Sequence, residues 1–240
     1  MQRDLAGRQI VVTGVTRGVG RALAGQLLAA HAKVVGVARD PVALDALAKT
    51  FGPGFTPVLA DLALDVAPLL AELPDQIDGL INNAGVQYER NYFEEDADTD
   101  ADEIAINLTA PIALCAGLLP RLRQSPAPFI VNITSGLAFA PKEAAPVYCA
   151  TKAGLQRFTT ALRYQAETAC PPMLVAEAIL PLVDTGMTAG RGRGKISPMQ
   201  AAEELIAGIR KGKEHVMIGK SRLLPPLLRL SPALVARMLR

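Results

Sequence analysis

Gln9-Ile-Val-Val-Thr13-Gly14-Val15-Thr16-Arg17-Gly18-Val19-Gly20 is the stretch whose reading decides the fold. Ile10 to Val12 form a β-branched apolar run, which predicts a strand over Gln9–Val12. Three glycines follow at the bend, and a helical apolar pattern continues through Leu23, Leu27 and Leu28. Glycine permits positive φ and lets a ligand approach the backbone closely. A helix beginning near Gly18 presents unpaired N–H groups and its positive dipole end to an anion such as a pyrophosphate. The spacing Gly14-x-x-x-Gly18-x-Gly20 differs from the GxGxxG fingerprint of many dinucleotide folds. A glycine-rich turn also serves plain strand–helix connections; its position directly after the first strand gives it weight.

Outward from this unit, short apolar or β-branched runs predict strands at Lys33–Ala38, Phe55–Leu59, Gly79–Asn82, Phe129–Ile133, Leu174–Ile179 and His215–Ile218. Helical patterns intervene, as at Pro41–Thr50 and Ala101–Leu118. The alternation predicts an α/β fold: a single-domain, Rossmann-like, doubly wound parallel sheet of about seven strands with helices on both faces. Ligands of such sheets lie beyond the carboxyl ends of the strands, and Gly14, Asp61, Asn82, Ser135 and Pro181 all follow such ends. The 240 residues form one domain, without internal repeat or linker, and half of them are apolar. A net charge of +2 gives no global argument for nucleic acid. Apolar runs break before the roughly 18 residues of a membrane span, and the N-terminus lacks a secretory pattern. Cys115, Cys149 and Cys170 have no metal-ligand spacing, so no metal is expected and a reducing cytoplasm fits best. Cys149, beside Tyr148, reads as a small residue on a packed helix. His31 falls where a helix-ending glycine is common.

Tyr148 and Lys152 stand four apart in VYCATKAGL, thirteen residues after Ser135. Positions i and i+4 share a helix face, so the ammonium lies beside the phenol and favours its ionised form. A tyrosine tuned towards neutral pH exchanges a proton at useful rates. Ser135, at the end of a strand, is placed to hold the oxygen of a reacting carbonyl. YxxxK alone is common; the combination is not.

These residues resemble the short-chain dehydrogenase/reductase family in its compact single-domain branch, over essentially the whole chain. Thr13 to Gly20 is similar to the family's TGxxxGxG turn, and Asn82-Asn83-Ala84-Gly85 to its NNAG motif. Asn107, Ser135, Tyr148 and Lys152 fall where the family carries its catalytic tetrad. The resemblance implies that Asn107 supports a water passing protons to Lys152, and that Lys152 binds the nicotinamide ribose. It implies cofactor contacts at Gly14, Thr16, Arg17, Gly18, Val19, Gly20, Asp61, Leu62, Asn83, Ala84, Gly85, Tyr148 and Lys152. Arg17, in the glycine turn, and Arg39, after the second strand, flank the locus of the adenosine ribose. Arginine there accommodates a 2′-phosphate where an acid repels it, so NADP(H) is favoured over NAD(H). The other readings are solvated surface arginines, with Asp40 altering the field, and Asp61 as a turn cap.

After the sixth strand the family often has Pro-Gly-x-Val-x-Thr. Here Pro181-Leu182-Val183-Asp184-Thr185-Gly186-Met187 lacks the glycine and is one residue shorter. Pro181, Val183, Thr185 and Met187 still resemble the nicotinamide-contacting set, while Leu182 restricts the backbone of the roof. This variant resembles a subgroup named after an oxidoreductase of teichoic-acid D-alanylation operons. Residues 186–197, with Arg191, Arg193 and Lys195 alternating with glycines, read as a mobile substrate loop whose cations face solvent or an anion. Residues 221–240 form an amphipathic extension, with Leu234, Val235, Met238 and Leu239 on one face. It packs on the domain or a symmetry mate, or makes peripheral membrane contact. On the helix of Tyr148, the apolar residues Ala153, Leu155, Phe158, Leu162 and Tyr164 suggest a homodimer or homotetramer. The function expected is NADP(H)-dependent hydride transfer to or from a small carbonyl or alcohol; the alternative is a nucleotide-binding sensor or scaffold that turns over little.

Overall fold

A computed structural model of the chain describes residues 3–94, 99–190 and 192–239. Arg191, named above, and position 240 of the extension lie outside the described residues, as do the side chains of Leu234, Met238 and Leu239. Seven strands form one parallel sheet: β1 (Gln9–Thr13), β2 (Lys33–Ala38), β3 (Phe55–Leu59), β4 (Gly79–Asn82), β5 (Phe129–Ser135), β6 (Leu174–Leu180) and β7 (His215–Met217). Their order is β3-β2-β1-β4-β5-β6-β7. The chain winds outward from β1 to β3, then crosses back to β4 and winds the other way. That reversal leaves a crevice at the carboxyl ends of β1 and β4, the ligand position of open α/β sheets.

Each strand is apolar on both faces because both faces are covered. Ile10 and Val12 point into a layer with Leu23 and Leu27 of α1 (Gly18–Ala29), Leu44 and Leu47 of α2 (Pro41–Phe51), and Leu205 and Ile209 of α7 (Pro198–Arg210). Val11, between them, points the other way. It meets Leu69 of α3 (Ala67–Glu72), Leu114 and Leu118 of α5 (Ala110–Leu122), and Leu162 and Ala166 of α6 (Pro146–Ala169). His31 does take the left-handed conformation, with φ 60°, just after α1.

The helix expected over Ala101–Leu118 is three pieces: α4 (Asp100–Ile104), a π-helical turn at Ala105–Thr109, and α5. The whole stretch Asp100–Leu122 is long and apolar enough to cross a membrane by composition, which corrects the expectation that no run reaches that length. Here Leu114, Cys115, Leu118 and Leu122 are fully buried against the sheet. On α6 the helical period turns Leu155 and Leu162 into the protein's own core, so they are not surface for a partner; Tyr164 remains exposed at 64%. The C-terminal extension forms α8 (Leu224–Leu230) and α9 (Pro232–Leu239). Val235 is buried, and a Cβ on Gly136, next to Ser135, would meet Leu224 at 3.1 Å.

Candidate active site

Thr13, the last residue of β1, joins the glycine turn to the end of β4. Its Oγ1 accepts from the backbone N–H groups of Asn83 (3.0 Å) and Ala84 (2.9 Å). Asn83 answers with its side-chain amide, donating to the carbonyls of Thr13 (2.8 Å) and Gly14 (3.2 Å). The turn needs its glycines: a Cβ on Gly20 would lie 2.1 Å from the Gly14 carbonyl oxygen. Gly14 and Gly18 adopt φ of 72° and 55°, the region side chains avoid. α1 then starts at Gly18 with no side-chain cap and no acid in its first turn. Its first N–H groups therefore stand ready for an anion, and the residues present fit a dinucleotide pyrophosphate.

Around this cradle the other sequence-predicted contacts divide by what faces the crevice. Thr185 is the facing wall, since a Cβ on Gly18 would touch its methyl at 3.0 Å. Val19, Leu62 and Val183 are buried in the core layers, which leaves their backbone for a ligand. Asp61 caps its own turn through the Ala63 N–H at 3.0 Å. Asp40 caps α2, accepting from Ala43, while Arg17 and Arg39 are exposed. Thr16, Pro181 and Met187 are half-buried along the same edge.

Leu182, the departure from the family pattern, lies over Gly192, whose missing Cβ leaves room for it (2.4 Å to Leu182 Cδ2). A parallel bridge pairs Val183 with Ile196. Lys195 donates to the Thr188 carbonyl (2.5 Å) and reaches Asp184 (3.4 Å), so it closes this flap instead of facing an outside anion. Arg193 is exposed.

Ser135, Tyr148, Lys152 and Asn107 converge beyond the carboxyl ends of β4 and β5. Ser135 stands beside the Tyr148 phenol and draws its pKa down, and its Oγ accepts from the Leu137 N–H (3.2 Å). The Lys152 ammonium lies 5.6 Å from the Tyr148 ring centre and donates to the Ile133 carbonyl (3.0 Å). Asn107, inside the π turn, accepts from the Val86 N–H (2.9 Å) and donates to its carbonyl (2.8 Å). Gly85 sits between: a Cβ there would be 3.1 Å from Asn107 Oδ1 and 3.6 Å from Lys152 Nζ. A π turn, which spends one extra residue per turn, recurs at functional sites; here it turns the poor helix former Asn107 inward to a fully buried position.

The electrostatics differ from the simple expectation that Lys152 brings the phenol towards neutrality. Burial pushes Tyr148 up to about 12, against the pull of the Ser135 hydrogen bond. Burial likewise lowers Lys152 to about 8, with Glu103 acting against it. The ammonium thus loses its proton before the phenol does. Glu103, absent from the sequence reading, is fully buried beneath this group; its position one helical turn before Asn107 was the available signal.

A cavity of about 780 Å³ opens beside the site, between Leu137–Phe139, the start of α6 and Arg237 of α9. On α6 it touches Pro146, Cys149, Ala150 and Ala153, a stripe at i, i+3, i+4 and i+7 distinct from that of Tyr148 and Lys152.

The short chain dehydrogenase family model matches residues 8–195. The chain is 34% identical over 223 residues to the uncharacterized oxidoreductase DltE of Bacillus subtilis, covering 86% of each protein. A short chain dehydrogenase from Burkholderia cenocepacia solved in complex with NADP superposes with a TM-score of 0.87 at 25% identity, covering 99% of this chain and all of that one. A Burkholderia phymatum short chain dehydrogenase/reductase in complex with NAD gives 0.84 at 20% identity over 96% and 98% of the two chains, a likeness of fold alone. A reversing parallel sheet, an uncapped glycine turn at its crevice and a family match across most of the sequence make one case: the chain belongs to the short-chain dehydrogenase/reductase family of oxidoreductases.

Proposed function

We propose that the protein is an NADP(H)-dependent oxidoreductase acting on a small carbonyl or alcohol, with Tyr148 as general acid and base. The observation that carries this reading is the Tyr148 phenol with Ser135 and the Lys152 ammonium beside it and Asn107 close to Lys152, at the sheet edge where the glycine turn opens. When bound, the nicotinamide supplies the hydride chemistry. Ser135 donates to the carbonyl oxygen and fixes its distance from the phenol. Tyr148 delivers its proton to that oxygen as charge develops there. In the alcohol direction, tyrosinate takes the proton back. Lys152 binds the ribose hydroxyls next to the phenol. Asn107 fixes the Val86 backbone, which forms the wall opposite Ser135.

Arg39, exposed at the end of β2, and Arg17, ahead of Gly18, support NADP(H) over NAD(H), because Asp40 is spent on capping α2 and leaves no free acid at the ribose locus. Self-association through the exposed side of α6 around Tyr164 completes the reading. The test is NADPH binding by fluorescence, followed by turnover of a ketone and aldehyde panel by the wild type and Tyr148→Phe. Turnover lost by at least 100-fold in the variant, with NADPH binding retained, is the expected result. Binding without wild-type turnover would instead favour a nucleotide-binding sensor.

A further inference from the structure

Glu103 is a carboxylate at a place where carboxylates are costly. It lies on α4 with no solvent exposure. Its Oε1 accepts from the Tyr88 backbone N–H at 3.3 Å, and its Oε2, also shielded from solvent, has no hydrogen-bond partner among the described residues. One turn later on the same helix face, Asn107 grips Val86. The two side chains thus pin alternate residues of the 85–90 segment, and Arg90 N–H completes the series by donating to the Ala144 carbonyl just before α6 (2.9 Å). α4 and the π turn both pack on α6, the helix of Tyr148 and Lys152.

Burial pushes the Glu103 carboxyl above its ordinary value, and a nearby cation offsets that desolvation in favour of the anion. Two cations qualify. Arg90, paired with Asp100 (3.1 Å) and bonded to Thr99, is the cation that acts more strongly on Glu103. Lys152 is the other, buried at 4% exposure and donating to the Ile133 carbonyl. We propose that Glu103 is a positioning residue of the site: it holds the 85–90 wall through Tyr88 and acts as the through-space counter-charge that keeps the buried Lys152 protonated. The proposal rests on reading Tyr148 and Lys152 as the reacting pair. The charged and titratable groups around Glu103 are Asp100 and Asp102 on α4, Tyr88, Glu89 and Arg90 on the pinned segment, and Tyr148, Cys149 and Lys152 on α6. Glu103 raises Lys152 and also Tyr148, in both cases opposing loss of a proton.

Glu103→Gln tests this, because glutamine keeps an oxygen for the Tyr88 N–H and loses only the charge. Lysine labelled with ¹³C at Cε in the full chain, with the Lys152 signal assigned by its absence in Lys152→Met, gives the Lys152 midpoint directly and without any substrate. In Glu103→Gln the midpoint should fall from about 8 by about half a pH unit or more, with thermal stability retained. Glu103→Leu, a second charge-removing variant, should move it the same way. A midpoint unchanged in both variants overturns the proposal, as would a midpoint moved equally by Asp102→Asn on the exposed side of α4. Turnover by the wild type is scored separately, so a shifted Lys152 in a protein that reduces no carbonyl sinks the enzymatic reading and not the counter-charge.

Discussion

Thr13→Val removes one hydroxyl and leaves the shape of the side chain. In the structure that hydroxyl is the acceptor for two backbone N–H groups, Asn83 at 3.0 Å and Ala84 at 2.9 Å, and Thr13 is only 1% exposed. Ala84 N–H is stranded at a cost of about 1–3 kcal/mol, while Asn83 N–H keeps the Ile81 carbonyl (3.0 Å) and loses a bond worth about 1 kcal/mol. The added methyl returns roughly 1 kcal/mol by burial, so the net loss is about 1–3 kcal/mol. For a domain of this size, each kcal/mol moves Tm by about 2–4 °C, giving a drop of roughly 2–12 °C. Urea denaturation measures the free energy, and calorimetry the Tm. Thr13→Ser keeps the acceptor and serves as the control, losing only a methyl. Since the same bonds fix Ala84 against Gly14, whose Cβ-less position lies 2.9 Å from Ala84 Cα, NADPH affinity should weaken in Thr13→Val and hold in Thr13→Ser. The Asn83→Ala change breaks the other half of this clasp, so the double variant should lose less than the two single losses added together. Equal stabilities of Thr13→Val and Thr13→Ser would refute the argument that the hydroxyl joins β1 to β4.

Two further outcomes follow from the same geometry. Arg39→Ser removes the cation at the end of β2, and NADPH affinity should fall by roughly tenfold with NADH affinity unchanged; a parallel fall for both nucleotides in fluorescence titrations would show that Arg39 does not read the 2′-phosphate. Glu177 is 1% exposed, accepts from Thr134 (2.6 Å) and Gln156 (2.9 Å), and meets His215 at 3.4 Å. Burial alone would raise its pKa, but His215, Thr134 and Gln156 hold it below the ordinary glutamate value. A depressed carboxyl contributes stability above its unfolded pKa, and that contribution is lost as pH falls through the folded one. Glu177→Gln should therefore cost about 2–3 kcal/mol at pH 7, and the gap to wild type should close as pH falls below the glutamate range. A gap that stays constant in denaturant titrations at successive pH values would contradict this.

The strands were legible because parallel strands buried on both faces read as unbroken apolar runs; Val11 and its neighbours need no alternation to resolve. Motif spacing also brought Asn107, Ser135, Tyr148 and Lys152 together, since each follows or faces a strand end. What sequence could not carry depends on contacts made from afar. Leu155 and Leu162 resembled a partner surface until packing on the sheet turned them inward. Lys195 read as a free cation because its partners, Thr188 and Asp184, sit across a flap closed by Ile196. Glu103 drew no reading from the sequence, because its burial depends on the 85–90 segment, whose Tyr88 N–H it accepts from. The π turn has the same apolar spacing as an α-helix over so short a stretch, so periodicity passed over it.

The proton chemistry depends most on those distant contacts. A lysine four residues from a tyrosine lowers the phenol's pKa only while the lysine is charged. With Lys152 at about 8 and Tyr148 at about 12, the cation is gone before the phenol ionises, and proximity by itself does nothing for tyrosinate. Whatever keeps Lys152 protonated decides the behaviour of the pair, and a negative charge at Glu103 does so while also holding the proton on Tyr148. The two effects together favour the acid form, the one that delivers a proton to a carbonyl oxygen. Alcohol oxidation needs the base form and should therefore run best at more alkaline pH than reduction does. In Glu103→Gln both profiles should move to lower pH together, because one charge acts on both members of the pair.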